Sequence, residues 1–270
     1  MLPASHAADP DAPPPPRFGG VRRLTRPIGT LARAVVRGLA SVAFPPACLA
    51  CGALLPVPDA LPLCGSCALD LDAADPAALL AHVTGLTPGS GAPGGDAAVT
   101  PGTERPGILD AAWARWRYDA DGPLAPVLHA LKYGHRPRVG RMLGDALAPT
   151  SPLPADAVLV PIPLTRQRWL ERGYNQADEL ALGLAAVTGH TVRPDLLARG
   201  RFVRSQTRLG RAARRANVAH AFAAGAAAAG ASVVLVDDVI TTGATALAAA
   251  AVLREAGAAR VALWAVAWTR

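Results

Sequence analysis

The chain has 270 residues, 51% of them hydrophobic and only 4% aromatic, with a formal net charge of +7 and four cysteines. That is enough apolar mass for one large domain or two smaller ones. No proline-free apolar run reaches the roughly eighteen residues of a membrane span, and the basic balance points to a phosphorylated substrate or a polyanionic partner.

Residues 1–30 carry four consecutive prolines (13–16) and no periodicity, and read as a disordered tail. Arg22-Arg23 lacks the rest of an export pattern. Arg33 and Arg37 break the apolar stretch a signal peptide needs, so a cytoplasmic protein is expected. Leu31, Val35, Leu39 and Val42 repeat at helical spacing up to Pro45-Pro46. They predict a short amphipathic helix that docks on the core or lies peripherally at the inner face of the membrane.

All four cysteines lie in one pattern, Cys48-x-x-Cys51 and Cys64-x-x-Cys67, twelve residues apart. Two such turns bring four thiolates to one tetrahedral site, with Gly52 and Gly65 relieving the backbone. Disulfides suit an exported chain, and an iron–sulfur cluster is the other alternative. Four protein thiolates argue for a closed, structural Zn²⁺ site that supplies folding energy to a piece without its own core. Residues 31–72 are therefore expected to form the helix and zinc module. Residues 73–108, rich in Ala, Pro and Gly, read as linker. Gly89, Gly91 and Gly94 formally make G-x-G-x-x-G, but no strand precedes them and Pro93 interrupts them.

From residue 109 to 270 a second domain is expected. Residues 112–118 alternate like an edge strand with Arg115 and Arg117 outward. Residues 124–133, 139–148 and 178–186 have helical spacing, and 157–162 and 261–267 are apolar strands. Strands alternating with helices predict an α/β fold with a mostly parallel sheet. The segment 166–215 holds eleven arginines against four acids, an excess equal to the whole formal charge. The arginines at 193–215, with Phe202 for stacking, could track a single-stranded nucleic acid, or line a solvated face. The six histidines form no ligand pattern.

The chemistry concentrates in residues 233–245, VVLVDDVITTGAT. Val233, Val234, Leu235 and Val236 suit a strand buried on both faces, and Asp237 and Asp238 follow at its carboxyl end, where open α/β sheets bind ligands. Thr241, Thr242, Gly243, Ala244 and Thr245 then lead into an alanine-rich helix closed by Gly257. A helix start offers free N–H groups to a phosphate, and the acids suit ribose hydroxyls or Mg²⁺. A Walker loop is excluded, because the chain's single lysine is Lys132. Phosphate, vicinal diol and metal together describe a phosphorylated sugar.

This stretch resembles the phosphoribosyl pyrophosphate (PRPP) signature of type I phosphoribosyltransferases. The resemblance implies that Asp237 and Asp238 contact the ribose, and that residues 241–245 hold the 5′-phosphate. Phe44-Pro-Pro-Ala-Cys48, Val160-Pro-Ile-Pro-Leu164, Glu171-Arg-Gly-Tyr-Asn-Gln176 and the run from Gln206 to Phe222 extend it. In that order they resemble the ComF family, a zinc ribbon joined to a type I phosphoribosyltransferase-like domain and associated with DNA uptake in competence. The resemblance places a pyrophosphate loop after Pro161, with Arg166 and Arg172 as candidates to meet the diphosphate, since arginine's fork matches phosphate oxygens. It implies a pentosyl-transferring glycosyltransferase that uses PRPP and Mg²⁺. A PRPP-sensing or single-stranded-DNA-binding adaptor for a competence helicase stays open beside it.

Overall fold

One parallel sheet organises the described residues after 107, and residues 46–56 and 61–85 pack with its core. The computed structural model describes residues 46–56, 61–85, 107–146, 148, 153–199 and 221–269. The expected tail, the helix at 31–44, the Gly89–Gly94 motif and the basic segment with Arg201, Phe202, Arg204 and Arg208 lie outside the described residues. In chain order the helices and strands are α1 (Gly65–Leu69), α2 (Pro76–Thr84), β1 (Ala111–Arg117), α3 (Leu124–Tyr133), α4 (Pro137–Ala146), β2 (Ala157–Pro161), α5 (Arg166–Arg172), α6 (Gln176–Thr188), β3 (Thr191–Val192), β4 (Leu197–Arg199), β5 (Phe222–Ala224), β6 (Ser232–Ile240), α7 (Ala244–Glu255) and β7 (Arg260–Trp268). The described residues belong to one compact unit, 45–270.

The five strands run in the order β1-β7-β6-β2-β3, and every neighbouring pair is parallel. A separate antiparallel pair, β4–β5, aligns Arg199 with Phe222. Burial explains the strand sequences. Val233, Val234, Leu235 and Val236 of β6 are at most 1% exposed, so both of its faces must be apolar. Because successive side chains alternate, Val233 and Leu235 join the core made with α2 and α7. Val234 and Val236 join the core made with α3, α4 and α6. Each such side chain contributes on the order of 1.5–3 kcal/mol. The α4–α6 contact is close because glycines line it: a Cβ on Gly183 would sit 2.2 Å from the Arg141 carbonyl oxygen.

The expected edge strand is β1, with Arg115 and Arg117 exposed. Two expectations are corrected. The stretch read as linker begins with a packed helix: Asp75 caps α2 by accepting from Ala77 N, Pro76 opens it, and Leu79 and Val83 are buried. The stretch after Pro161, expected as a loop, is mostly α5, capped by the Thr165 hydroxyl and ended by Gly173 at φ +76°. Among the described residues no helix is long and apolar enough to cross a membrane.

Candidate functional site

Two clusters of ionisable side chains stand out. In the first, all four cysteine Sγ atoms lie within 4.8 Å of one another, and Cys51 and Cys64 are 3.6 Å apart. A tetrahedron with Zn–S bonds of about 2.3 Å has edges of roughly 3.8 Å, so the donor set fits that ion. None of the four is in a disulfide. Short backbone bonds build the cluster: Cys48 N donates to Ala53 O at 2.7 Å, and Leu49 N to Pro62 O at 2.9 Å. Cys48 is buried against the sheet, which ties the module to the rest of the chain. The Ser66 hydroxyl, 3.1 Å from Cys64 Sγ, and the Cys67 amide lower the Cys64 thiol. The neighbouring Cys64 and Cys51 sulfurs push Cys67 up. Four thiolates repel unless a cation joins them.

The second cluster stands at the carboxyl edge of the sheet. Asp237 and Asp238 are part of β6, which runs two residues beyond them. Strand alternation sends them to opposite faces, Asp237 with the Leu235 side and Asp238 with the Val236 side. Each uses one oxygen on a following amide: Asp237 Oδ1 accepts from Asp238 N at 2.8 Å, and Asp238 Oδ1 from Val239 N at 2.7 Å. Asp238 Oδ2 is buried without a hydrogen bond. Burial, then the charge of Asp238, pushes Asp237 up to about 7, against the pull of Lys132 and Arg168. A paired acid with an unsatisfied oxygen fits ribose hydroxyls or a hydrated divalent cation.

Next to the acids, Thr241, Thr242, Ala244 and Thr245 are exposed around a buried Gly243. Gly243 is left-handed at φ +73° and, lacking a side chain, makes no cap hydrogen bond to α7; Ala244 N donates to the Thr242 hydroxyl at 3.4 Å, and the following N–H groups of the first turn are left for a ligand. Val83 of α2 fills the space behind it: a Cβ on Gly243 would meet Val83 Cγ1 at 2.7 Å. His82 Nε2 donates to Thr241 O at 2.9 Å, so α2 braces the loop at two points. The sequence could have shown this brace through the Asp75-Pro76 helix start and the Leu79–Val83 spacing.

The flanking cations differ from those expected. Arg166 is exposed at the start of α5. Arg172 is 7% exposed, donates to Gln176 Oε1 at 2.8 Å and lies over the Tyr133 ring, so it is engaged inside the fold. The cations that act on the acid pair are Lys132, Arg168 and Arg199. Lys132 Nζ is 3.3 Å from Asp238 Oδ2. Arg168 and Asp237 both influence Arg199, whose guanidinium is lowered chiefly by burial and stacks on Phe222 at 4.5 Å. Sequence reasoning had only the rarity of lysine to single out Lys132.

No protein-family model matches the chain. Among solved structures, glutamine PRPP amidotransferase from B. subtilis, complexed with ADP and GMP, matches at 25% identity and TM-score 0.38. The match covers 52% of this chain and 30% of that one, a likeness too partial to support an argument. Curated proteins match better. The DNA utilization protein YhgH of Salmonella typhi is 31% identical over 153 residues, covering 54% of this chain and 67% of that protein. The Escherichia coli K12 protein of that name is 31% identical over 149 residues, covering 53% and 66%. Competence protein F of Haemophilus influenzae is 29% identical over 155 residues, covering 54% and 68%. With the cysteine cluster and the parallel sheet in the expected order, these relatives establish that the chain belongs to the ComF family.

Proposed function

We propose that this protein binds PRPP with Mg²⁺ at the carboxyl edge of β6 and transfers its phosphoribosyl group to a nitrogen acceptor. The Cys48, Cys51, Cys64 and Cys67 cluster would hold a structural Zn²⁺, and the fold would divide into a zinc module and a transferase domain near residues 72–109. The observation that carries the reading is the juxtaposition of an acid pair straddling the strand end with a left-handed glycine opening α7. In the reaction, the C1′–oxygen bond breaks with its electron pair leaving on pyrophosphate. The acceptor nitrogen bonds to C1′ and loses its proton to solvent. Mg²⁺, when bound, neutralises charge on the departing diphosphate. Asp237 and Asp238 hold the ribose hydroxyls as positive charge develops at C1′, and the 241–245 loop anchors the 5′-phosphate. Calorimetry with PRPP and Mg²⁺, followed by a pyrophosphate-release assay over a panel of bases and ammonia, tests it. Binding in the parent and its loss of about a hundredfold in D237N/D238N, with metal content unchanged, is expected. Full binding in that variant would overturn the assignment.

A second reading, a single-stranded-DNA adaptor that partners a helicase-like ATPase, is supported by a surface beside the site. Trp169 and Tyr133 are 46% and 54% exposed, and Arg166, Arg168, Arg136 and Arg138, close to them in sequence, are exposed too. Bases stack on such rings while arginines follow the phosphates. The relatives' names also point to DNA handling. Fluorescence anisotropy with a labelled oligonucleotide decides it: affinity falling steeply with salt and lost in W169A supports this role. No binding at 50–100 mM salt, a range of order set by phosphate-contact energetics, counts against it.

A further inference from the structure

Asp238 turns to the sheet face covered by α3, α4 and α6, and on that face it meets the only lysine in a chain with 27 basic residues. Lys132 Nζ lies 3.3 Å from Asp238 Oδ2, the carboxylate oxygen that no hydrogen bond satisfies. An ammonium is a compact point charge on a flexible stem. A guanidinium is a flat fork that would occupy more of the space beside the acids.

Lys132 sits in the last turn of α3, and the residues on either side of it are held from the α5–α6 turn. The Tyr174 hydroxyl donates to Leu131 O. The Arg172 guanidinium lies 5.6 Å from the centre of the Tyr133 ring while donating to Gln176 Oε1. The turn is itself fixed: Gly173 is left-handed, and Asn175 Nδ2 donates to Ile162 O at 3.1 Å while its Oδ1 accepts from Ala177 N. The Arg172-Gly-Tyr-Asn-Gln176 run is thus spent on bracing the strand end and the turn that carries Lys132. None of its side chains is left as a free ligand donor on the surface except in part Tyr174, which is half-buried.

We propose that Lys132 is a positioning residue for the acid pair: its ammonium, ion-paired to Asp238 Oδ2, offsets the repulsion between the two carboxylates, and the 171–176 turn serves to keep it there. The ion pair stands on the geometry; its consequence for a ligand rests on the PRPP reading. The groups that face the pair are Asp237 and Asp238 on each other, Lys132 from α3, Arg168 from α5, Arg199 from β4 and the Tyr174 hydroxyl ahead of α6. Two carboxylates side by side repel, and the Lys132 and Arg168 charges offset that repulsion at Asp237. Without Lys132, Asp237 keeps its proton to higher pH, and a protonated carboxyl has lost acceptor capacity for sugar hydroxyls.

The test uses the full chain with Lys132→Met, Lys132→Arg and Tyr174→Phe. Carboxyl ¹³C resonances of labelled aspartate, with D237N for assignment, follow the Asp237 titration without any ligand. Calorimetry with PRPP and Mg²⁺ follows binding from below pH 7 to above pH 8. In K132M the Asp237 midpoint rises by about one pH unit or more, and binding near pH 7 weakens about tenfold but recovers as pH rises. K132R restores the midpoint, and Y174F, with Lys132 intact but less well held, falls between. An unchanged midpoint in a folded K132M overturns the proposal, as does a binding loss that is the same at every pH. If the midpoint moves but no form binds PRPP, the PRPP reading fails and the role of Lys132 stands.

Discussion

The cysteine cluster and the acid pair both crowd like charges together, yet they are supported in opposite ways. Cys48 and Cys51 sit on a short loop, and Cys64 and Cys67 at the start of the five-residue α1; the buried apolar residues of these segments are Cys48 and Leu63. The acids end a strand whose preceding four residues are almost wholly buried between two helical layers. The thiols gather within 4.8 Å of one another, whereas at the acid pair Lys132 reaches Asp238 directly. A module without a core depends on its ligand to stay folded. A site on the edge of a buried sheet can hold unfavourable charge because the sheet supplies the stability elsewhere.

The sharpest way to break this comparison is to remove the metal. A structural Zn²⁺ held by the four cysteines would supply on the order of 10 kcal/mol, more than these short segments can replace. Chelation, or Cys64→Ser, should abolish amide protection over residues 46–71 while β6 and β7 keep theirs, as read by hydrogen exchange. Cooperative melting of both regions would mean that they are one unit and not two. The next largest effect is expected at Gly243. Gly243→Ala combines a left-handed backbone with a clash against Val83 and should cost about 2–4 kcal/mol in urea unfolding. Val83→Ala in the same chain should return the packing part and leave the backbone part. No recovery would show that the α2 contact is not what constrains the loop.

How much of this was legible in the sequence depends on whether the deciding signal was local. The run of β-branched residues before Asp237, and the helix after Gly243, are local patterns, and β6 and α7 form there. The residues expected for α3 match it at both ends because leucine spacing and Gly134 bound it. α2 was hidden by composition: alanine, proline and glycine describe a linker as well as they describe a capped helix, and only burial of Leu79 and Val83 against the sheet separates the two. α5 was hidden by the basic residues that suggested a loop, although Thr165 caps it and Gln167 and Glu171 pair along it. Lys132 could not be assigned at all. Its partner is distant in sequence, and the face to which Asp238 turns is fixed only by the register of β6 between β2 and β7. The arginines at 166 and 172 were chosen for their chemistry, but burial of Arg172 is a tertiary fact.

Charge strain at the acid pair predicts a pH dependence that the rest of the sheet lacks. Burial and the neighbouring Asp238 charge push Asp237 up to about 7 in the folded chain, from about 4 when unfolded, so the native state binds its proton more tightly. Stability should therefore fall as pH rises from about 4 to 7 and level off above. Asp237→Asn cannot ionise and escapes that loss. It should be more stable than the parent by on the order of 1–2 kcal/mol at pH 8, and close to it at pH 4, in urea midpoints. The same substitution should abolish PRPP binding. A stabilisation of equal size at both pH values would mean that Asp237 carries no charge strain.

The smallest expected effect concerns the link between the two sites. α2 follows the cysteine module directly in the chain, and it touches the 241–245 loop through Val83 and through the His82 hydrogen bond to Thr241 O. His82 also stacks on Trp268 with ring centres 5.4 Å apart, so His82→Phe keeps an aromatic contact and removes the hydrogen bond. The loss should be about 1 kcal/mol, seen as a few-fold faster exchange of the Thr242–Thr245 amides with little change in β6. Metal removal frees the chain ahead of α2 and should loosen the same amides in the parent. In His82→Phe that second loosening should be smaller, because the strap that transmits it is already cut, and a double-mutant cycle measures the difference. Strict additivity would leave the sites energetically independent despite their contact. A coupling of even a few tenths of a kcal/mol would make the cysteine module a support for the phosphate loop as well as for itself.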